Sequence, residues 1–482
     1  MGDCFMEDSK GYGIMDGSPG EWWVPGSNLR IAGSLSRNAK VGRWELRLLG
    51  DLSPENEIAR ITGASADTTL HGIGPLGPMT VFGAEITGGY REFFDDSSPE
   101  RKRRVHVGWS FREILIGGHF MPDAKWTGVR FELPGFVNWI SGVGYTLEGD
   151  AALAGSVSAE LPDTTVRAWW TDLNPGEFTT YRAGGYGGYI FSSTSGITLE
   201  RIDRLIQALR NLNRVISNSF ASPVSFELRQ SEDVAANRVH RLRARNIEYR
   251  ESDFLTSYLS IRDIDFATFI PRWIDLHESS SMWPTFGPHP ESSGYIETEF
   301  VAAVNEAEAL SKLFCTLKSS PSNREQAILD AVEEHLTAKQ YDRVKKALEQ
   351  SRNKLAPVLV SLLKAGAPAF HEDFLPKPEE WGVAVSRARH ALSHGLDADD
   401  YPSAATNAQA LMHLTTTVQV VKKLAALHAA GYEYTQPTES DPAFFRRMDT
   451  VRFRNNNSAL GEEISLVTYA STIWTRPLEI GQ

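Results

Sequence analysis

The stretch Arg387-Ala388-Arg389-His390-Ala391-Leu392-Ser393-His394-Gly395 decides how the second half of this chain is read. Residues on an α-helix advance by about 100° each. Trp381, Val385, Ala388 and Leu392 then share one narrow stripe, which predicts a buried face. Arg387, His390, Ser393 and His394 fall on the other side, with Arg389 at its edge. Gly395 supplies a stop, because glycine enters the left-handed region at little cost. The spacing predicts an amphipathic helix over about 378–394 with a cationic polar face. The plain alternative is a solvated face carrying ordinary charges.

Outward from this helix the pattern stays helical. Helices are expected over about 296–317, with Phe300, Val304, Ala307 and Leu310 on the core face, and over about 323–350. A shorter one follows near 355–365. A last one is expected over about 402–430, with Leu411, Leu414, Val418, Val421, Ala425 and His428 recurring every three or four residues. Residues 290–432 therefore read as an all-α bundle, and 433–482 as a mixed tail with a short strand at 464–469.

The first half reads differently. Residues 1–20 are Gly/Ser/Asp-rich and expected to be loose. Residues 21–285 read as a β-rich, sandwich-like region interrupted by one helix. Alternation is plain in Trp44-Glu45-Leu46-Arg47-Leu48, in Val105 to Phe111 and in Trp126 to Leu133. Residues 198–218 switch to helical period, with Ile202, Leu205, Leu209, Leu212 and Ile216 on one stripe. Arginine-rich short strands follow over 224–262, and 271–295 reads as a junction. Gly72-Ile73-Gly74-Pro75-Leu76-Gly77 has dinucleotide-loop spacing, but Pro75 and Pro78 suit a turn and no helix follows. Tyr181 to Tyr189 is glycine-rich without the lysine of a phosphate loop, so a hairpin or flexible loop is expected there. The fold class is thus α+β and multidomain.

Composition bounds the rest. A chain of 482 residues exceeds what one core usually serves. No apolar run reaches 18 residues and the N-terminus lacks a signal-peptide layout, so neither a membrane span nor export is expected. Cys4 and Cys315 are the only cysteines, too few for a disulfide framework or a Cys-based zinc site. These features predict a cytoplasmic protein. The net charge of -12 argues against broad nucleic-acid binding, which needs a positive surface. Any nucleic-acid chemistry must then rely on a local basic site.

Arg389-His390-Ala391-Leu392-Ser393-His394 has the form R-x4-H, with a polar residue straight after the arginine, and resembles the signature of HEPN ribonucleases. The first half resembles the N-terminal domain of ApeA-type proteins, which join a β-rich domain to a C-terminal HEPN domain. The matching pieces include Gly20 to Pro25, Ile31 to Leu35, Ile116 to Phe120, Phe136 to Trp139, Pro271-Arg272-Trp273 and Tyr295 to Phe300. His390 stands where many family members carry Asn. The resemblance implies a metal-independent endoribonuclease in abortive defence against phage, acting on host RNA, with transfer RNA as one expected substrate. It also implies a homodimer in which motif helices of two HEPN domains share one cleft. No cofactor and no metal are expected.

The residue types suit that chemistry. The ribose 2′-OH attacks the neighbouring phosphorus, so one group takes a proton, another protonates the leaving 5′ oxygen, and a cation offsets charge. Histidine suits proton transfer near neutral pH, and arginine's planar fork suits phosphate. His394 is expected as acid/base and Arg389 as phosphate clamp, with His390 orienting or sharing the proton transfer. Arg387 is an alternative clamp, and Glu308 a candidate orienter of Arg389. The products would be 2′,3′-cyclic phosphate and 5′-OH ends. The β-rich domain is expected to sense a phage-derived trigger and restrain the nuclease.

Two other classes stay open. His390 and His394 have metal-ligand spacing, but the Glu of H-E-x-x-H is missing and no third ligand is evident. Alternatively, the Trp-rich β domain is the functional part, binding a protein or glycan, and the helical domain only dimerises. Trp22, Trp23, Trp109, Trp126, Trp139, Trp169 and Trp170 fit a core equally well.

Overall fold

The computed structural model describes residues 17–38, 42–50, 52, 68–92, 104–133, 136, 139, 155–170, 187–217, 226–230, 238–243, 261–279, 295–314, 323–352, 354–366, 375, 377–396, 403, 405 and 407–433. Most of the expected loose N-terminus, most of the glycine-rich run before Gly187, and the tail with its expected strand lie outside them. The chain divides into two compact units. One comprises residues 1–137, 152–206 and 221–251, and the other 138–151, 207–220 and 252–482.

Among the described residues, the first unit is built on thirteen strands in one sheet. They are β1 (Ser18–Trp23), β2 (Ile31–Asn38), β3 (Arg43–Leu48), β4 (Thr68–Gly74), β5 (Gly77–Glu92), β6 (Arg104–Phe111), β7 (Glu113–Ile116), β8 (Lys125–Glu132), β9 (Gly155–Glu160), β10 (Thr165–Trp170), β11 (Gly187–Thr198), β12 (Phe226–Arg229) and β13 (Val239–Arg243). All pairings are antiparallel. The order β4-β1-β2-β3-β6-β5 closes on itself, because β4 also pairs with β5. The remaining strands continue the sheet from β5 as β7-β13-β12-β8-β11-β10-β9.

The sandwich-like expectation therefore gives way to a six-stranded barrel with a sheet extension. Closure depends on β5. Residues 77–84 pair with β4 and residues 85–92 with β6, and a register shift follows within the β6 pairing, between Ile86 and Gly88. A bulge of this kind bends a strand. Pro75 and Leu76 form the turn joining β4 to β5, and Gly77 adopts φ 86°, so the apparent dinucleotide loop is a hairpin.

Period-two alternation fills the barrel. Trp44, Leu46 and Leu48 lie opposite Phe111, Trp109 and Val107, and all six are buried together with Trp22. Gly72 faces Trp22, where an added Cβ would come within 2.6 Å of the indole ring. In the extension, Phe131 meets the rings of Tyr189, Phe191 and Phe226. Arg241 on β13 is 2% exposed and is gripped by two carboxylates, Glu113 on β7 and Asp203, with contacts of 2.6–2.9 Å. Asp203 lies on α1 (Leu199–Ser217), whose residues from Gln207 onward belong to the second unit.

The second unit adds α2 (Phe266–Glu278), α3 (Ile296–Phe314), α4 (Asn323–Glu333), α5 (Ala338–Arg352), α6 (Leu355–Gly366), α7 (Pro378–His394) and α8 (Ala408–Ala429). α2 replaces the start of the expected junction. Asp265 caps it by accepting from Ala267 N–H, and Phe266, Phe269, Ile270, Trp273 and Ile274 are buried on one side. That burial outweighs the hydrogen bond lost at Pro271. The single helix expected over 323–350 is broken in two. Thr337 ends the gap by bonding Gln340 Oε1 through both its N–H (2.9 Å) and its hydroxyl (2.7 Å), which starts a new helix.

α1 and α2 also place a histidine where charging is costly. His277 Nε2 accepts from Asn211 Nδ2 at 3.0 Å, and Asn211 Oδ1 is held by Gln207. Burial lowers the His277 pKa from its usual value to about 4. The unfolded chain then binds more protons than the folded one between about pH 6.5 and 4, so stability falls as pH drops through that window. Acid titration of the unfolding midpoint should show this loss, and His277→Gln should flatten it.

Candidate functional site

The motif helix α7 forms over the residues its periodicity predicts. Pro378 opens it and Glu379 and Glu380 occupy its first turn, both favourable at a helix N-terminus. Trp381, Val385 and Ala388 are fully buried. Trp381 Nε1 donates to Thr417 Oγ1 on α8 at 2.9 Å. Gly382 lets α7 approach α6 closely, since a Cβ there would stand 2.9 Å from the Ala356 carbonyl oxygen. Gly395 ends the helix at φ 60° and returns its N–H to Ala391 O.

The other face is open. Val383 (40% exposed), Arg387, His390 and His394 are exposed and follow one another at spacings of four, three and four, which is one helical stripe. The rings of His390 and His394 meet with centroids 4.5 Å apart. Arg389 leaves this stripe and turns toward α3. Its Nη2 donates to Asn305 Oδ1 at 3.3 Å, and its Nε is buried without an acceptor among the described residues. The structure thus brings the two histidines together, holds Arg389 on α3, and leaves Arg387 in solvent.

Glu308 is bonded elsewhere: its carboxylate accepts from Lys312 Nζ at 3.0 Å. The partner of Arg389 is Asn305, three residues earlier on α3. A lone amide on a helix gives no sequence signal, which is why the carboxylate drew attention first. The difference matters electrostatically. A carboxylate would neutralise the guanidinium, whereas a neutral amide orients it and leaves its charge available. The next residue, Glu306, binds Lys422 of α8. Lys422 and Lys423 are both buried, and burial pushes their pKa values down. One turn of α3 therefore contacts both α7 and α8 through polar groups.

A helix end with two adjacent imidazoles and a half-buried, charged guanidinium can supply proton transfer and anion stabilisation. Among the described residues no group of three or more His, Cys, Asp or Glu could hold a metal ion.

A second cluster lies on the first unit. His71 and His119 stack with centroids 4.9 Å apart, and Trp23 packs edge-on against His119 at 4.9 Å. Each imidazole Nε2 lies at a backbone carbonyl, that of Phe120 for His71 and that of Gly72 for His119. A carbonyl only accepts, so both Nε2 atoms carry hydrogen. Arg30 caps Trp23 at 4.2 Å. Sequence reading singled out Trp23 and His119 in separate pieces but not His71, which joins them. Trp22, Trp109, Trp126 and Trp139 are buried.

A closed antiparallel barrel continued as a longer sheet, with a helical unit that presents an Arg/His helix, defines a two-unit β-then-α protein. Residues 18–273, just over half of the chain, match the model of the ApeA N-terminal domain 1, and the chain belongs to that family. Membership makes it a protein of anti-phage defence. No curated protein and no solved structure matches the chain. Among the described residues, no helix is long and apolar enough to cross a membrane.

Proposed function

We propose that this chain is a metal-independent endoribonuclease of the HEPN type, which cleaves host RNA, with transfer RNA as the first substrate to test, during abortive defence against phage. The observation that carries the reading is the exposed end of α7. There His390 and His394 lie side by side while Asn305 holds Arg389 without cancelling its charge. His394 acts as acid/base on the 2′-OH or the leaving 5′ oxygen, His390 shares or orients that transfer, and Arg389 offsets charge on the phosphate. Arg387 stands on the histidine stripe and contributes a second positive charge. The products carry 2′,3′-cyclic phosphate and 5′-OH ends.

Arg389 and His394 are about 140° apart around one helix. Pairing of two copies through the stripe of Val383, Arg387, His390 and His394 lets each chain contribute to a shared cleft, so the active form is a homodimer. The exposed valine on an otherwise polar stripe supports this pairing. The β-barrel unit senses an infection signal and restrains the nuclease until then. Removing residues 1–285, which takes α1 and α2 away together with the barrel, is expected to change toxicity.

The test is a plating assay on phage-infected bacteria with the intact protein, Arg389→Ala and His394→Ala at matched expression, with RNA from infected cells examined for cyclic-phosphate ends. Loss of both protection and cleavage is expected. Full protection in both variants would refute the nuclease. Asn305→Asp gives a sharper check on electrostatics. It keeps an acceptor beside Arg389 but adds a negative charge, so it should reduce cleavage more than Asn305→Ala.

The His71–His119–Trp23 cluster favours a second reading, in which the barrel binds a ligand and the helical unit only dimerises. Retained protection in the α7 variants, lost on Trp23→Ala, would select it.

A further inference from the structure

Chain charge and proposed substrate are in tension: a protein of net charge -12 must hold a polyanion. The hairpin of α4 and α5 offers a resolution. It stands between α3 and α6 in sequence, and its two helices pack chiefly on each other. Leu329 is buried, and Val332, Leu336, Tyr341, Val344 and Leu348 are partly buried, while the charged side chains of α5 described for Lys339, Asp342, Arg343, Lys345 and Lys346 are exposed.

The polarity of α5 is sharply divided. Tyr341, Val344 and Leu348 occupy one pole of the helix. Lys339, Arg343 and Lys346, spaced four and three residues apart, occupy the opposite pole. At 1.5 Å per residue this cationic row runs about 10 Å along the axis. Ala338 to Leu348 contains four cations, Lys345 being the fourth, against the single carboxylate of Asp342. Asp342 sits at the edge of the row and pairs with Lys346 at 2.9 Å, an exposed pair with side chains 67% and 57% accessible. Such a pair is weak and exchanges readily for a stronger anion. The carboxylates of α4, Glu325, Asp330 and Glu333, belong to the other helix of the hairpin.

We infer that α5 is a phosphate-tracking arm, in which Lys339, Arg343 and Lys346 hold the backbone of the RNA substrate outside the cleavage site. The inference rests on the ribonuclease reading. A row of exposed cations on a helix, with no aromatic side chain at its pole, binds phosphates without reading sequence. It therefore contributes affinity and orientation, and the chemistry stays on α7. An acidic protein segment would satisfy the same charges but has no place in the proposed reaction.

The experiment uses the full-length protein and the triple variant Lys339→Gln, Arg343→Gln, Lys346→Gln, with purified transfer RNA as probe. All three positions are exposed, so folding is expected to be retained. A charge-preserving variant, Lys339→Arg, Arg343→Lys, Lys346→Arg, serves as control. Binding is measured as a function of salt, and cleavage as a function of RNA concentration. With three phosphate contacts gone, the slope of log affinity against log salt should fall by about 2. KM should rise while kcat at saturating RNA stays within about twofold, because these contacts are equal in ground and transition states. The charge-preserving variant should behave as wild type. An unchanged slope and KM in the triple variant, with wild-type cleavage intact, overturns the arm and leaves the nuclease standing. Loss of phage protection with RNA binding unchanged also overturns it, and assigns the row to a protein partner. A wild-type protein that neither binds nor cleaves RNA removes the arm together with the nuclease.

Discussion

Arg389→Ala is expected to lower RNA cleavage by about 10³-fold and to abolish protection against phage. The size follows from what Arg389 does in the proposed reaction. Charge builds on the phosphate oxygens as the 2′-OH attacks, and a preorganised guanidinium meets it without reorganisation. Orientation comes from the hydrogen bond to Asn305 Oδ1, and readiness from the lack of any carboxylate in that bond. Arg389→Lys should recover only part of the rate. A lysine keeps the charge but cannot reproduce the planar fork between α3 and the phosphate. Single-turnover cleavage of a defined RNA by the three proteins measures this directly. Circular dichroism should be unchanged, because the helix is anchored by Trp381, Val385 and Ala388 on its other face. Equal rates in all three would show that the charge is supplied elsewhere, with Arg387 the next residue to replace.

The second large effect is on stability. Arg241→Ala should destabilise the barrel unit by about 3–5 kcal/mol. Arg241 is 2% exposed and holds Glu113 and Asp203 through four hydrogen bonds. Its pKa is raised despite burial, because the two carboxylates outweigh desolvation. Removing the guanidinium alone takes away the four hydrogen bonds that Glu113 and Asp203 accept from it. Replacing all three, as Arg241→Met with Glu113→Gln and Asp203→Asn, should cost less than the single change, since the carboxylates are neutralised together with the guanidinium. Urea unfolding followed by tryptophan fluorescence reads both, and a triple variant weaker than Arg241→Ala would refute the account.

Local signals made much of the fold legible. The alternation of Trp44-Glu45-Leu46-Arg47-Leu48 marked β3, and its apolar residues fill the barrel. The motif helix was legible to the residue, because an apolar stripe, an opening proline and a closing glycine all agree over Pro378–His394. Elements whose formation rests on distant contacts were not. α2 forms through Pro271 because Phe269 and Trp273 are buried, and nothing near Pro271 announces that. Barrel closure depends on β4 pairing with β1 as well as with its hairpin neighbour β5, and no local window of the chain contains the pairing with β1.

The same division holds for the candidate site. The sequence alone determined the candidates, Arg387, Arg389, His390 and His394 on one amphipathic helix, and a net charge that argues against a generally basic surface. Only tertiary structure decided their surroundings. It set Asn305 rather than Glu308 beside Arg389, and joined His71 to Trp23 and His119. The physical reason is range. Helical period, capping and alternation act within a few residues and are written in the chain. Hydrogen-bond partners 84 residues apart, like Arg389 and Asn305, exist only once packing has brought two helices to contact distance.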